Sequence, residues 1–441
     1  MRLHIGIDDT DSPQGGCTTH IAVRIIEELL GLGCEFTDYP NLLRLNPNVP
    51  WKTRGNGAVC LRIKVDQELE GEVRSTVIGE VERYAEFDCE NTNPGIVLHI
   101  GLVPEAFIQF SNRVVGSVVT LEEALTLVDG HGASAVGYKN MRGIIGALAA
   151  VGGLQRGDHT YELLTYREPE NWGKPRLLDE ATVRAMDCEL GDQTFNNVDP
   201  ESGRVLIAPH GPDPVLYGVR GETPEAVHRA GTIVETGEPV ERWAIFRSNQ
   251  GTDAHLRRVE KLSDLRTFHP AVVAGKIVET PRTIQGGHVI FGLADNSCEI
   301  DCAAYEPTGI FREVVRRLIV GDRLEAYGGV RTEEEPRRTL NLEKLEILEL
   351  AREILLKNPG CPECGGSMES MGSGKGFRCR SCGHRDGTLV KEESVMEREL
   401  EAGLYVPPPK AQRHLTKPTK RYGREKKRRT PGAMHEPWHW P

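Results

Sequence analysis

Two pairs of cysteines near the C-terminal end constrain the fold of this chain more than any other feature. Cys361-Pro-Glu-Cys364 and Cys379-Arg-Ser-Cys382 are separated by fourteen residues, and a glycine follows each second cysteine. Each pair puts two thiolates on a tight turn, and four such thiolates satisfy tetrahedral Zn²⁺ with no open position. A redox pair is the alternative, but two matched turns disfavour it. We therefore predict a structural zinc ribbon over 353–392, with these four cysteines as its ligands.

Composition argues against a membrane or secreted protein. The chain of 441 residues contains no apolar run of the roughly 18 residues that a membrane-spanning helix needs. Its first residues enter a predicted strand directly, without the basic and apolar pattern of a secretory signal. Seven of the eleven cysteines have no metal spacing, which suits a reducing compartment better than a disulfide framework. We therefore expect a cytoplasmic protein of several domains.

The net charge of −11 conceals a basic C-terminal tail. Residues 410–429 contain ten lysines and arginines and a single acid, Glu425. An acidic body disfavours nonspecific nucleic-acid binding, whereas a basic tail favours it. We predict a charged, disordered tail over 393–441. Nucleic-acid binding by this tail and a merely solvated chain end both remain open.

The N-terminal stretch predicts a site for phosphate and a metal ion. Apolar residues alternate over 3–7, which indicates a strand, and Thr18 or Thr19 can cap the helix predicted over 20–30. The acidic residues and glycines between them are Asp8, Asp9, Asp11, Gly15 and Gly16. A glycine turn before a helix start binds phosphate, and Mg²⁺ would relieve the repulsion between that phosphate and three carboxylates. A solvated acidic turn is the alternative interpretation.

A second stretch could supply cations to the same site. Gly143 and Gly146 lie three residues apart at the start of an alanine-rich helix, where small side chains permit close backbone packing. Lys139 and Arg142 precede that start, so they and Gly143 are candidate phosphate ligands. Simple exposed charges are the alternative.

The order of predicted elements divides the chain into mixed α/β and α+β domains. Strands alternate with helices up to residue 167, and strand–helix–strand spacing continues beyond it. After residue 271 the pattern changes to five short strands with a helix between the third and the fourth, the order of an OB-fold. The predicted domains are an α/β, kinase-like ATP-handling domain at 1–167, a ferredoxin-like domain at 168–265, an OB-fold at 266–352, the zinc ribbon at 353–392 and the basic tail at 393–441. A phosphate and metal site joined to nucleic-acid-binding modules suggests an ATP-using enzyme that acts on RNA.

The ordered motifs closely resemble the archaeal isoleucine-tRNA 2-agmatinylcytidine synthetases, and the resemblance extends to about residue 390. Besides the cysteine ribbon, the motifs are Ile5-Gly-Ile-Asp-Asp-Thr-Asp-Ser-Pro-Gln-Gly-Gly-Cys-Thr-Thr19, Arg54-Gly-Asn-Gly57, Arg142-Gly-Ile-Ile-Gly-Ala147, Thr194-Phe-Asn-Asn-Val-Asp199 and Phe246-Arg-Ser-Asn-Gln-Gly-Thr-Asp253.

The resemblance implies a specific reaction. The family consumes ATP to attach agmatine to C2 of the wobble cytidine in the isoleucine tRNA with a CAU anticodon, so that AUA is read as isoleucine. By resemblance, the C2 oxygen is phosphorylated. The agmatine amine then attacks C2 and displaces phosphate. Asp8, Asp9 and Asp11 match the carboxylates that handle metal and phosphate, and Thr18 matches an autophosphorylated threonine.

Agmatine carries a guanidinium, which needs carboxylate and amide acceptors. Asn196, Asn197 and Asp199 are the candidates for that role. The OB-fold and the ribbon would bind the tRNA and help to splay out the wobble base. No obligate protein partner is evident in the sequence.

Two alternative functions belong to other classes. One is a non-catalytic nucleic-acid-binding protein built on the OB-fold and the ribbon. The other is a different ATP-dependent RNA kinase or ligase, although the lysine-nucleophile motif of nucleotidyl ligases and the GxxxxGK[ST] loop are both missing.

Overall fold

The N-terminal strand lies inside the largest sheet of the protein. The computed structural model describes residues 1–332, 338–427 and 433–441. The helices are α1 Thr18–Gly31, α2 Glu70–Tyr84, α3 Glu105–Gly116, α4 Leu121–Gly130, α5 Gly143–Gly152, α6 Glu180–Leu190, α7 Pro224–Ile233 and α8 Ile310–Arg316. The strands of the first half are β1 Arg2–Asp8, β2 Glu35–Phe36, β3 Asn41–Arg44, β4 Gly57–Lys64, β5 Gly95–Ile100, β6 Ser134–Gly137, β7 Thr160–Arg167, β8 Thr194–Phe195, β9 Val215–Gly221 and β10 Val240–Ser248. The later strands are β11 Pro270–Thr283, β12 Val289–Ala294, β13 Glu299–Ala304, β14 Arg323–Thr332, β15 Arg338–Glu349, β16 Glu353–Lys357, β17 Met368–Ser370, β18 Phe377–Cys379, β19 Arg385–Asp386, β20 Glu392–Met396, β21 Gly403–Tyr405 and β22 His439–Trp440.

Strand β1 is covered on both faces. Its apolar residues face α1 and α2, and its glycine faces α5. Leu3, Ile5 and Ile7 are at most 1% exposed and share a hydrophobic core with apolar residues of α1 and α2. On the opposite face, a Cβ built on Gly6 would lie 2.0 Å from the carbonyl oxygen of Ala147 in α5. Only glycine therefore allows α5 to lie this close to the strand. Packing of α5 therefore buries the second face of the strand.

The large sheet continues from the first domain into a ferredoxin-like unit. Its main order is β6-β5-β1-β4-β3-β10-β7-β9-β8, and the parallel pairing of β3 with β10 joins the two parts. Strands β7 to β10 with α6 and α7 have the βαββαβ order of a ferredoxin-like fold. The predicted boundary at 167/168 is therefore wrong for β7, which pairs with β9 and β10. Its pairing depends on distant strands, which the local sequence pattern does not identify.

The predicted five-stranded barrel is confirmed. Strands β11 to β15 are connected in the order β13-β12-β11-β14-β15, and parallel pairing of β13 with β15 closes the barrel. The helix α8 lies between the third and fourth strands in the chain, as the OB-fold pattern predicted. Its apolar residues Phe311 and Val315 pack into the barrel core. Strand β21 then extends the sheet at β15.

The C-terminal tail is ordered over its described residues, so the prediction of a disordered tail is wrong for them. Arg421 is 1% exposed and pairs with Glu222 and Asp158, at 2.6 and 2.8 Å. Trp438 is 3% exposed within the main core, and β22 pairs with β10. The composition of the tail indicated a solvated chain, but carboxylates of the body neutralise its cations and the buried Trp438 anchors its end. The basic residues 428 and 429 lie outside the described residues.

Among the described residues, no helix has the length and apolar character that crossing a bilayer requires.

Candidate active site

Asp8 ends β1 at the point where the start of α5 crosses the strand. Asp8 is paired in the sheet with Gly95, and a Cβ on Gly143 would lie 2.4 Å from the Gly95 nitrogen. A Cβ on Gly146 would lie 1.8 Å from Asp8 Oδ2. The two helix glycines therefore permit the close packing that the sequence predicted, and they bring α5 directly against the Asp8 carboxylate.

The neighbouring carboxylates Asp8 and Asp9 differ in their counter-charges. Burial raises the pKa of Asp8 well above its ordinary value, and the charge of Asp9 raises it further. Arg142 donates to Asp9 Oδ2 from Nη2 at 2.8 Å and from Nε at 3.1 Å. Burial also raises the pKa of Asp9, and Arg142 opposes that shift. Within the described part of the chain, no ion pair is formed by Asp8, so this end of the site can still accept a cation.

The third carboxylate, Asp11, is bound by the loop between β3 and β4. Arg54 Nε donates to Asp11 Oδ2 and Thr53 Oγ1 donates to Oδ1, both at 2.8 Å. Arg54 also bridges to Asp213, whose Oδ2 lies 3.1 Å from its Nη1. Both oxygens of Asp11 therefore have protein donors. Arg54 links the predicted acidic turn to the ferredoxin-like unit.

Thr18 is the first residue of α1, close to the acidic turn. The helix is preceded by Cys17, which has an extended conformation. The Cys17 side chain makes no capping hydrogen bond. The prediction that Thr18 or Thr19 caps the helix is therefore wrong, because the cap position falls one residue earlier. Thr18 is instead 6% exposed, and its Oγ1 lies 2.9 Å from Thr10 Oγ1.

One cavity of about 790 Å³ is lined by several of the predicted site residues. The predicted residues that line it are Asp8, Asp9, Asp11, Thr18, Arg142 and Asn196. Asn196 has a φ of 59° and donates from Nδ2 to Gln412 of the tail, at 2.9 Å. Residues from the N-terminal sheet, the ferredoxin-like unit and the tail therefore meet around one space.

The other predicted phosphate ligands are not among the described residues that line this cavity. Gly15 donates its N–H to Ser12 Oγ at 3.1 Å, and Gly16 has a φ of 71°, so both build the turn. Gly143 packs against backbone, as described above. Lys139 donates from Nζ to the carbonyl of Cys89 at 2.6 Å.

Two of the three predicted agmatine ligands are engaged in local structure. Asn197 is 1% exposed and donates from Nδ2 to Asp187 and Thr194, at 3.0 and 2.8 Å. Asp199 is fully buried and accepts hydrogen bonds from the backbone and the side chain of Ser202. Neither is among the described cavity residues, whereas their neighbour Asn196 is.

Sequence reasoning missed a polar group that lines the same cavity. Glu162 is 2% exposed, accepts a hydrogen bond from Arg220 Nε at 2.9 Å and also accepts one from Gln250. Arg220 Nη2 donates to His414 Nδ1 at 2.9 Å. The neighbouring charges of Arg44 and Arg220 lower the pKa of His414 below its usual value. The signal in the sequence was Glu162, a carboxylate between Tyr161 and Leu163.

The four ribbon cysteines converge as their spacing predicted. All four Sγ atoms lie within 4.8 Å of one another. Cys361 Sγ lies 3.6 Å from Cys382 Sγ, and Cys364 Sγ lies 3.5 Å from Cys379 Sγ. Four thiolates at Zn–S distances of about 2.3 Å have similar separations, so the donor set fits a closed structural zinc site.

Comparison with known proteins defines first a class and then a family. Family models match three parts of the chain, the TiaS TCKD domain at 4–140, the TiaS FLD domain at 141–255 and the TiaS C-terminal zinc ribbon domain at 358–400. The architecture is thus that of a multidomain protein with a zinc ribbon and an OB-type barrel. The chain belongs to the TiaS family, and the resemblance drawn from its motifs is confirmed.

Individual relatives match over almost the whole chain. The isoleucine-tRNA 2-agmatinylcytidine synthetase TiaS of Methanosarcina mazei is 42% identical over 435 residues, 97% of this chain and 99% of that protein. The protein of the same name from Methanocaldococcus jannaschii is 44% identical over 95% of this chain and 98% of its own length. A crystal structure of TiaS in complex with its isoleucine tRNA, AMPCPP and agmatine superposes with a TM-score of 0.83 at 40% identity, covering 95% of this chain and 96% of that one. The 435-residue match extends beyond residue 390, where the resemblance of the motifs ended.

Proposed function

We propose that this chain is the ATP-dependent ligase that joins agmatine to C2 of the wobble cytidine in the CAU-anticodon isoleucine tRNA. The observation that carries the proposal is the convergence of Asp8, Asp9 and Arg142 in one cavity. The near full-length relatives carry the name of this activity, and one related structure holds the isoleucine tRNA, an ATP analogue and agmatine together. The modified tRNA then reads AUA as isoleucine.

Arg142 and the carboxylates suit the phosphoryl-transfer half of this reaction. Phosphoryl transfer depends on positioning and on neutralising charge at the transferring group. Asp9 fixes the Arg142 guanidinium with two hydrogen bonds, so its direction at the cavity wall is set before a ligand binds. The γ-phosphoryl group of ATP passes to the C2 oxygen of the cytidine as its bond to the β-phosphate oxygen breaks, and the rest of the nucleotide leaves.

Mg²⁺ is the metal that we assign to the same end of the cavity. Asp8 is a buried carboxylate without an ion pair among the described residues, and Asp9 lies beside it. A hard divalent cation binds such oxygen donors together with phosphates. Asp8 and Asp9 would hold it, and Asp11, whose oxygens are already hydrogen-bonded, is the weaker ligand. Bound Mg²⁺ would neutralise the charge of the phosphate groups.

The second half of the reaction joins agmatine to the activated ring. The primary amine attacks C2, the C2–O bond breaks, phosphate leaves with that oxygen and the amine loses a proton. Asn196 is the member of the predicted agmatine trio that supports this role from the cavity wall, since Asn197 and Asp199 are bonded elsewhere. Thr18 lines the same cavity, and its assignment as a phosphorylated threonine rests on resemblance.

The surrounding modules suit an RNA substrate. The closed barrel and the zinc ribbon are folds that often bind nucleic acid, and the ribbon carries basic residues. We assign the protein to the cytoplasm, where tRNA, ATP and agmatine are available together. The structural zinc maintains the ribbon, and no protein partner is required by this assignment.

The test is transfer of radiolabelled agmatine to a CAU-anticodon isoleucine tRNA transcript with ATP, Mg²⁺ and the zinc-loaded protein. We expect label on the RNA that depends on ATP, and a loss of about 10²-fold in rate for Arg142→Ala. Arg229→Ala is the matched control, because Arg229 forms an exposed pair with Glu189 on neighbouring helices. Absence of label with folded wild-type protein contradicts the proposal. Equal rates for the two variants contradict the role of Arg142.

A further inference from the structure

Two aromatic side chains lie together beside the cavity, at the junction of the N-terminal unit and the barrel. Trp51 lines the cavity and is 40% exposed, although it is a large apolar side chain. Its ring lies 6.3 Å from that of Phe268, at an interplanar angle of 71°. Phe268 has a φ of 64°, a conformation that is strained for a bulky residue. An exposed tryptophan beside a strained phenylalanine is therefore a feature that packing alone does not require.

The loop that carries Trp51 is fixed against the barrel. Asn46 donates from Nδ2 to the carbonyl of Phe268 at 2.9 Å, which ties the two aromatic residues to one hydrogen-bonded framework. Asn48 packs tightly against Gly329 of the barrel. A Cβ built on Gly329 would lie 2.1 Å from Asn48 Oδ1. The aromatic pair is thus preorganised, which reduces the entropy lost when a ligand binds.

One cation contacts this aromatic pair, and two more line the cavity beside it. Arg331 lies over the Phe268 ring at 5.2 Å, and Lys52 and Arg413 line the adjoining cavity. Arg413 donates to Asn48 at 2.6 Å and lies 3.5 Å from Glu343. Burial, followed by the charges of Arg413 and Arg331, lowers the pKa of Lys52, while Glu343 opposes this shift.

Glu343 is a carboxylate near these cations, and it already has another partner. Glu343 is 6% exposed, and His255 Nε2 lies 2.8 Å from its Oε2. In the described part of the chain, Lys52 has no ion pair. Among the described residues, these three cations outnumber the carboxylates at a partly buried position, where an anion would bind favourably.

We propose that Trp51, Phe268, Lys52, Arg331 and Arg413 form a binding site for one nucleotide of single-stranded RNA, the aromatic–cationic ledge. The base stacks on Trp51, and the adjacent phosphodiester is held by Lys52, Arg331 and Arg413. Stacking on an aromatic side chain beside a cationic track is the general mode of single-strand recognition. The proposal rests on the proposed function in one respect, that the nucleotide on the ledge neighbours the one that enters the cavity.

The ledge also gives the C-terminal tail a defined role. Arg413 belongs to that tail, and other residues between 409 and 415 line the cavity with it. The basic tail therefore contributes specific cations to one site. A diffuse, sequence-independent attraction for RNA would not need the tail to be fixed along the cavity wall.

The test measures binding of the unmodified tRNA transcript to the full-length protein, without ATP or agmatine, at several salt concentrations. We expect Trp51→Ala to weaken binding about tenfold and Trp51→Phe to retain most of the affinity. Lys52→Gln is expected to reduce the slope of log affinity against log salt by about 0.7, the value for one phosphate contact on a single strand.

The controls are a tryptophan of similar exposure and an exposed lysine, both elsewhere in the protein. Trp440→Ala removes a tryptophan that is 50% exposed on β22, and Lys64→Gln removes an exposed lysine paired with Glu35. Neither belongs to the cavity wall, and both variants should bind tRNA as the wild type does. Quenching of tryptophan fluorescence by RNA should also diminish in Trp51→Phe but persist in Trp440→Ala.

The possible outcomes separate the ledge from the proposed function. If folded Trp51→Ala and Lys52→Gln bind tRNA with wild-type affinity and salt slope, the ledge proposal is wrong, even when the wild type transfers agmatine. If the Trp51→Ala and Lys52→Gln variants raise KM for ATP without changing tRNA binding, the ledge binds a free nucleotide. The proposal is wrong in that case too. If wild type binds tRNA through the ledge yet transfers no agmatine, the proposed reaction fails and the ledge stands.

Discussion

The contact between α5 and Asp8 gives the sharpest test of the candidate active site. A Cβ added at Gly146 would lie 1.8 Å from Asp8 Oδ2, whereas real Cβ atoms essentially never approach closer than 3.0 Å. In a close-packed interior, Gly146→Ala must therefore displace the carboxylate or the helix by about 1.2 Å. A misplacement of about 1 Å at reacting groups lowers the rate about 10²-fold. We expect Gly146→Ala to reduce agmatine transfer by about that factor.

Stability should change much less than activity in this variant. Alanine favours a helix over glycine by about 1 kcal/mol, while overpacking costs about 1–3 kcal/mol. The two effects oppose each other, so we expect a net loss of roughly 1 kcal/mol. Gly79→Ala is the matched control, because Gly79 lies in α2 with no atom within 4 Å of the added Cβ. That variant should have wild-type activity and a slightly higher melting temperature.

The assay is initial rate of agmatine transfer at saturating tRNA and ATP, with circular dichroism and thermal melting as measures of folding. Wild-type rates for a folded Gly146→Ala protein would refute the argument that α5 orients Asp8 for the reaction. A melting temperature lowered as far as that of a general core mutant would show that the substitution damages the fold itself. A selective loss of kcat supports the argument.

The remaining predictions concern the tail, the ribbon and a buried histidine. Arg421→Ala removes a buried guanidinium that pairs with Glu222 and Asp158, and it should destabilise the protein by about 3 kcal/mol in denaturant unfolding. Lys420 is exposed, so Lys420→Ala should change the stability by less than about 0.5 kcal/mol. Cys379→Ser should lower bound zinc from one equivalent per chain in elemental analysis, and full zinc content would exclude this thiolate as a ligand. Burial and the nearby Arg62 lower the pKa of His4 from 6.5 to about 4. The unfolded chain therefore binds a proton that the folded chain does not, and the free energy of unfolding should fall by up to about 3 kcal/mol as pH decreases from 6.5 to 4. This contribution should be missing from the pH dependence of His4→Gln, and an unchanged dependence in that variant would contradict the assignment.

Local patterns in the sequence determined a large part of the fold. The alternation of Leu3, Ile5 and Ile7 gave the first strand, because side chains alternate between the faces of a sheet. The paired cysteines gave the ribbon, since ligand spacing within a tight turn is a local property. The order of five short strands and one helix gave the barrel. Each of these features depends on residues close together in the chain or on their simple order.

The tertiary structure decided which side chains meet. Arg54 bonds Asp11, Arg142 bonds Asp9, and His414 returns from the tail to Arg220, each across a long separation in sequence. Such pairs depend on strand order and on how closely helices approach the sheet. The composition of the tail predicted disorder because local sequence does not reveal which distant carboxylates will neutralise its cations.

The N-terminal acidic turn contains both kinds of information. Its sequence determined that carboxylates would follow a buried strand, and its resemblance to a family assigned them a chemistry. Only the structure distinguished them, since Asp8 is buried against α5 while Asp11 is hydrogen-bonded to a loop. The physical reason is that a carboxylate's behaviour depends on its burial and on its neighbouring charges, and both are set by chain segments distant in sequence.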